Sequence, residues 1–206
     1  APGFAFPALP PAAQWQAPAA AQQENEVIEF SWAGETARHV GTVVHRWLQR
    51  FADDALEGWT PARVEAMRPQ LARVLERRGV SPAECGDAAA RVVRALAQTL
   101  QDERGRWLLG PRADARSEYR VRSVAGTVLY SYVMDRVFRD ADGRRWIVDY
   151  KTSSHEGADV DAFLDRERVR YEAQLARYAS ALGAAPETML GLYFPLLAGW
   201  REWRTT

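Results

Sequence analysis

The sequence predicts an α/β (α+β) fold in which a helical block precedes a strand hairpin, and three observations carry that expectation. Two apolar runs, 128–138 and 144–150, are joined by Arg139-Asp140-Ala141-Asp142-Gly143, and an Asp-Gly turn between hydrophobic runs is a hairpin signal. Apolar residues recur at helical spacing over about 35–56 and again over about 161–182. Between the first of these helices and the hairpin, Thr60-Pro61 and Ser81-Pro82 each open a further helix with a capping hydroxyl and a first-turn proline.

Taken in order, residues 1–24 read as a Pro/Ala-rich linker or arm, and 25–206 as one domain. Residues 1–23 hold five of the eleven prolines and no charged side chain, so they cannot propagate a helix. Phe4, Phe6, Leu9 and Trp15 either pin this tether to the domain or dock it on a neighbour. The chain does not begin with methionine, which suggests a piece of a longer protein. Residues 27–32 alternate as a short strand. The helix over 35–56 buries Val40, Val43, Val44, Trp47, Leu48 and Phe51, with His45 one turn beyond Gly41. Helices over 60–78 and 81–103 follow, forming a helical part of about 35–104 whose arginines, Arg78 among them, are mostly a solvated face, with some expected to track phosphates. Residues 116–124 form a strand with Glu118 and Arg120 on one side and Tyr119 and Val121 on the other. After the hairpin, 153–161 is a polar loop in which His155 faces solvent or touches phosphate weakly. The last helix carries the stripe Tyr171, Gln174, Leu175, Tyr178 and Leu182, and 188–195 and 199–203 close the sheet.

Chemistry concentrates at Asp149-Tyr150-Lys151. All 27 basic residues are arginine except Lys151, and a compact ammonium approaches a reacting phosphate or water where a flat guanidinium cannot. In a strand, Asp149 and Lys151 share one side. The hairpin brings Asp135 toward Asp149, and two carboxylates held together call for a divalent cation with oxygen ligands.

These residues resemble the PD-(D/E)XK nuclease signature, in which an acid precedes an acid-x-lysine strand. Gly41-Thr42-Val43-Val44-His45, Ser117-Glu118-Tyr119, Met134-Asp135-Arg136-Val137-Phe138, Val148-Asp149-Tyr150-Lys151-Thr152 and Gln174-Leu175-Ala176-Arg177-Tyr178, in that order, are similar to the nuclease domain of the RecB and AddA helicase-nucleases. The resemblance implies a restriction-endonuclease-like mixed central sheet flanked by helices, with a helical insertion before the catalytic hairpin. It also implies Mg2+ or Mn2+ held by His45, Asp135, Asp149 and the carbonyl of Tyr150. Lys151, Asp149, Asp135 and Glu118 would be the catalytic residues, with Gln174 and Tyr178 beside the DNA. Many relatives carry glycine where this chain has Tyr132, so a ring there would crowd the DNA path or stack on a base.

The implied activity is metal-dependent DNA cleavage of the exodeoxyribonuclease type, within an ATP-dependent helicase-nuclease of double-strand-break repair and recombination. The implied partners are DNA, chiefly single-stranded, the helicase domain of the same parent chain, and a subunit of the AddB/RecC kind. No G-x-x-x-x-G-K loop occurs, so this piece has no ATP site. Its single Cys85 excludes the four-cysteine iron-sulfur cluster of AddB and Cas4 nucleases, which disfavours a free-standing Cas4-like nuclease. A catalytically silent DNA-binding or scaffolding module is disfavoured because every catalytic position is filled. No apolar run approaches the ~20 residues of a membrane span, and the expected location is cytoplasmic, with no membrane partner. With a formal net charge of zero, DNA contact must come from a local concentration of arginine.

Overall fold

The computed structural model describes residues 34–205 apart from 126–127, 154, 156, 158 and 184–187; the strand expected at 27–32 and the arm before it lie outside the described residues. The helical block has more breaks than the sequence predicted. α1 (Glu35–Asp53) stops short of residue 56, because Ala55 and Leu56 adopt φ of 51° and 66°, left-handed values that no helix continues through. Asp54 fixes that turn, accepting hydrogen bonds from Arg50 Nε at 2.8 Å and Trp59 Nε1 at 3.0 Å.

The single helix expected over 60–78 is two, α2 (Pro61–Ala66) and α3 (Arg68–Glu76). Pro69 near the start of α3 is the cause, since it removes an amide donor and its ring displaces the carbonyl one turn back. The Thr60 hydroxyl caps α2 from Arg63 N at 3.1 Å. α4 (Pro82–Gln101) ends at Asp102, and an unexpected short helix, α5 (Glu103–Leu109), follows. Asp102 accepts from the Gly105 amide at 2.8 Å and from the Tyr193 hydroxyl at 2.9 Å, which caps α5 and fastens it to the sheet. Gly105 is required there: a Cβ would collide with the Thr99 carbonyl.

The sheet has five strands in the order β1 (Ala113–Ala125), β2 (Val128–Arg139), β3 (Arg145–Tyr150), β4 (Met189–Phe194) and β5 (Gly199–Arg204). Neighbours run antiparallel except β3 and β4, which are parallel. A parallel pair needs a long crossover, and α6 (Val160–Ala181) supplies it. Gly143, at φ 79°, makes the β2–β3 turn, where Asp140 N donates to the Arg144 carbonyl at 3.0 Å.

Two cores cover the two faces of the sheet. Trp146, Val148 and Tyr150 of β3 pack against α1 to α5, while Ile147 packs against α6 with Leu175 and Tyr178. Burial on both faces explains why β3 reads as a nearly continuous apolar run. Arg136, only 3% exposed, is accommodated because its guanidinium donates to the Leu108 and Gly110 carbonyls and the Ser117 hydroxyl. It ties the end of α5 to the strand residue beside Asp135. The mixed sheet, flanking helices and helical insertion ahead of the hairpin agree with the expected architecture.

Candidate active site

The site forms where β2 and β3 part. Their pairing ends at Arg136 with Val148, and the next β3 amide on that edge, Tyr150 N, donates to Asp135 Oδ2 at 2.6 Å. Asp135 thus fills the fork with its side chain. Its other oxygen, Oδ1, lies 3.1 Å from His45 Nδ1, delivered by α1. Ser117 and Tyr119 pair with Arg136 and Met134, which leaves Glu118 opposite Asp135.

The strand faces also exchange at this point. Ser117 turns to Arg136 on the α5 side, whereas Tyr119 and Met134 turn to the α6 core. Glu118 has φ 48°, a left-handed value that is costly for a non-glycine residue and that clusters at functional sites. Ligand atoms of His45, Glu118 and Asp135 all lie within 4.8 Å of one another. One imidazole nitrogen and two carboxylates, directly opposed across two strands, fit a divalent cation, since unneutralised like charges in that position destabilise the sheet.

Asp149 and Lys151 occupy the cleft floor beside this group. They are 6% and 3% exposed, and Lys151 Nζ lies 2.9 Å from Asp149 Oδ2. The ammonium also sits 3.9 Å from the centre of the Tyr171 ring on α6. Of the expected metal ligands, then, His45 and Asp135 are together with Glu118, while the Asp149 carboxylate is engaged by Lys151. Tyr150 contributes its backbone amide to the fork, and its ring stands edge-on to His45 at 5.9 Å.

A cleft of about 620 Å3 opens over these groups. Gln174 and Tyr178 line it, and Gln174 Nε2 donates to the Tyr178 hydroxyl at 2.6 Å. Tyr132 does not crowd it: the ring is buried on the α6 side, edge-on to Tyr178 at 5.7 Å. An odd separation from Asp135, together with the intact pleat between them, sends it to the opposite face. His155, expected to face solvent or touch phosphate weakly, is half-buried and stacks on Phe163 at 4.8 Å. Missed as site residues were Tyr171, which holds Lys151, and Thr152, Arg46 and Arg120 of the cleft; Arg78, which also lines it, was among the arginines expected to be solvated or to track phosphates. Tyr171 lies one helical turn before Gln174, and that spacing was its only signal.

Gly41 carries the approach of α1 to Thr152, just after β3. A Cβ there would fall 2.9 Å from Thr152 Oγ1. Gly41→Ala is expected to push α1, and His45 with it, away from Asp135. Overpacking of this kind costs about 1–3 kcal/mol, partly offset by alanine's helix preference of about 1 kcal/mol. Adding Thr152→Ala removes the colliding oxygen and should restore both melting temperature and metal affinity.

Burial and then the Asp135 charge push the Glu118 carboxyl above its ordinary value. For Asp135, burial also pushes upward, but the charge and hydrogen bond of His45, the Tyr150 amide and Lys151 together outweigh it and hold the group below its ordinary value. The signs differ. A raised acid contributes stability that is present below its unfolded value and lost as pH rises through its folded one; a lowered acid contributes stability lost on acidification. Glu118→Gln should therefore raise the melting temperature of chelator-treated protein at neutral pH. The gain should vanish below the ordinary carboxylate range, and Mn2+ should stabilise the wild type but not the variant.

No curated protein matches the chain. Among solved structures it is similar to the crystal structure of SSO0001, at 15% identity and a TM-score of 0.31, covering 81% of this chain and 78% of that one. It is also similar to protein VC1899 from Vibrio cholerae, at 14% identity and a TM-score of 0.26, covering 81% of this chain and 54% of that one. Residues 20–197 match the model of the PD-(D/E)XK nuclease superfamily. That span includes the acid at the fork, the acid-x-lysine of β3 and the mixed restriction-endonuclease-like sheet that carries them, and the chain belongs to the PD-(D/E)XK nuclease superfamily.

Proposed function

We propose that this domain is a deoxyribonuclease of the RecB/AddA type, cutting DNA with Mg2+ or Mn2+ as part of a helicase-nuclease that acts in break repair and recombination. The observation that carries the reading is the cleft floor, where His45, Glu118 and Asp135 gather within ligand distance beside a buried lysine paired to Asp149. The five sequence words of the first section, in their order, support the RecB/AddA assignment. A motor domain of the same parent chain and a subunit of the AddB/RecC kind would deliver single strands to the cleft.

His45, Glu118 and Asp135 would hold the cation, with Asp149 adjoining. When bound, such an ion neutralises phosphoryl oxygen and acidifies water. The chain's own residues do the rest. Asp135 is held in place by the Tyr150 amide and by His45, which limits how far its carboxylate can move. Lys151 is fixed by Asp149 and Tyr171, and its ammonium stabilises the negative charge that develops on the phosphoryl group. Walls built by α1 and α6 limit water around these charges, which strengthens them.

The test is cleavage of end-labelled single-stranded DNA with and without Mg2+ or Mn2+. Metal-dependent shortening from an end is the expected result, and no cleavage under any divalent ion would sink the proposal. The length of the natural gene product, with or without a motor domain, tests the helicase association.

A further inference from the structure

β1 and β2 run on past the rest of the sheet. β3 pairs only with residues 136–139 of β2, whereas β1 stays paired with β2 out to Ala125 and Val128. The projecting ribbon has two unlike faces. Tyr119, Val121, Tyr130 and Tyr132 turn to the α6 core. Arg120 and Arg122, opposite Val133 and Ser131, occupy the other face and are exposed, leading outward from Glu118. Two residues of strand advance about 6.6–6.8 Å, so these guanidiniums form a row that begins at the acid group. Across the cleft stand Arg46 of α1 and Arg78 just after α3, also exposed.

Arginine elsewhere is often matched to an acid, as in Arg50 with Asp54, Arg144 with Asp140 and Arg201 with Asp161. Among the described residues, none of Arg46, Arg78, Arg120 and Arg122 has an ion pair or side-chain hydrogen bond. In a chain of zero net charge, this leaves positive charge without a salt bridge on both walls above an acidic floor, with Arg120 near enough to Glu118 to act on its charge. Such a placement attracts a polyanion to the walls and leaves the floor for a cation. A lone phosphate could not span the row, whereas a polynucleotide backbone could.

We propose that Arg120 and Arg122 on the ribbon, with Arg46 and Arg78 opposite, form a phosphate track that holds the DNA strand leading away from the acid group. The proposal rests on the nuclease reading for its ligand, and it makes chain length the basis of substrate selection. The β1–β2 ribbon is then a binding arm as well as the carrier of Asp135.

The test is fluorescence anisotropy of a labelled oligothymidylate across a salt series, without divalent metal so that nothing is cut. For Arg120→Gln/Arg122→Gln, affinity should fall at least about tenfold, and the slope of log affinity against log salt should shrink by about 1.4, the value for two lost single-strand contacts. A control losing the same charge elsewhere, Arg94→Gln/Arg204→Gln, should leave the slope unchanged. With Mn2+, the ribbon variant should lose a larger factor in oligothymidylate cleavage than in hydrolysis of bis(p-nitrophenyl) phosphate, which is too small to span the row. An unchanged slope in the ribbon variant, or an equal loss in the control, overturns the track even if the wild type cuts DNA. A wild type that binds with the expected slopes but hydrolyses neither substrate overturns the nuclease reading and leaves the track standing.

Discussion

Asp135→Asn is expected to lower kcat/KM for DNA cleavage by about 10³-fold or more, a loss of about 4 kcal/mol of transition-state stabilisation. The isosteric amide can still accept from the Tyr150 amide, which Asp135 Oδ2 holds at 2.6 Å, so the β2–β3 fork should persist. What disappears is the negative charge between His45 and Glu118. Titration calorimetry with Mn2+ should show binding lost, while the melting temperature in chelator should fall at neutral pH, because the charge that His45, the Tyr150 amide and Lys151 stabilise is gone. Cleavage at the wild-type rate by Asp135→Asn would remove the fork from the active site.

The second large effect concerns Lys151. Lys151→Ala should reduce cleavage by about 10²–10³-fold, the range for deleting one group that stabilises developing charge. It should also destabilise the fold by roughly 3–5 kcal/mol, because Asp149 remains buried without its cation. The two consequences can be separated. Lys151→Met combined with Asp149→Asn leaves no buried charge at the pair and should recover most of the stability while cleavage stays lost. Paired melting and activity measurements check this, and recovery of cleavage in the double variant would show that the ammonium acts only structurally.

The limits of the sequence appear at particular residues. The hairpin, the crossover helix and the closing strands were legible because they depend on local patterns: an Asp-Gly turn, a period of two, a period near four. The helical block was less so. Met67 and Asp102 break helices at points where Pro69 and a side-chain cap compete with an otherwise continuous apolar stripe. Tyr132 was expected to crowd the DNA path or stack on a base, yet it lies in the α6 core, because its odd separation from Asp135 puts it on the other face of β2.

By itself the sequence determined that Asp149 and Lys151 project to one side of a buried strand, and that Asp135 lies on the strand hairpinned to it. Both follow from the two-residue repeat and a tight turn. Only the tertiary structure decided how those groups are shared out: Asp135 with His45, 90 positions earlier, and with Glu118, and Asp149 with Lys151. The reason is that β2 and β3 separate after four pairs of residues have met, and no local pattern encodes where two strands diverge or which helix packs into the gap.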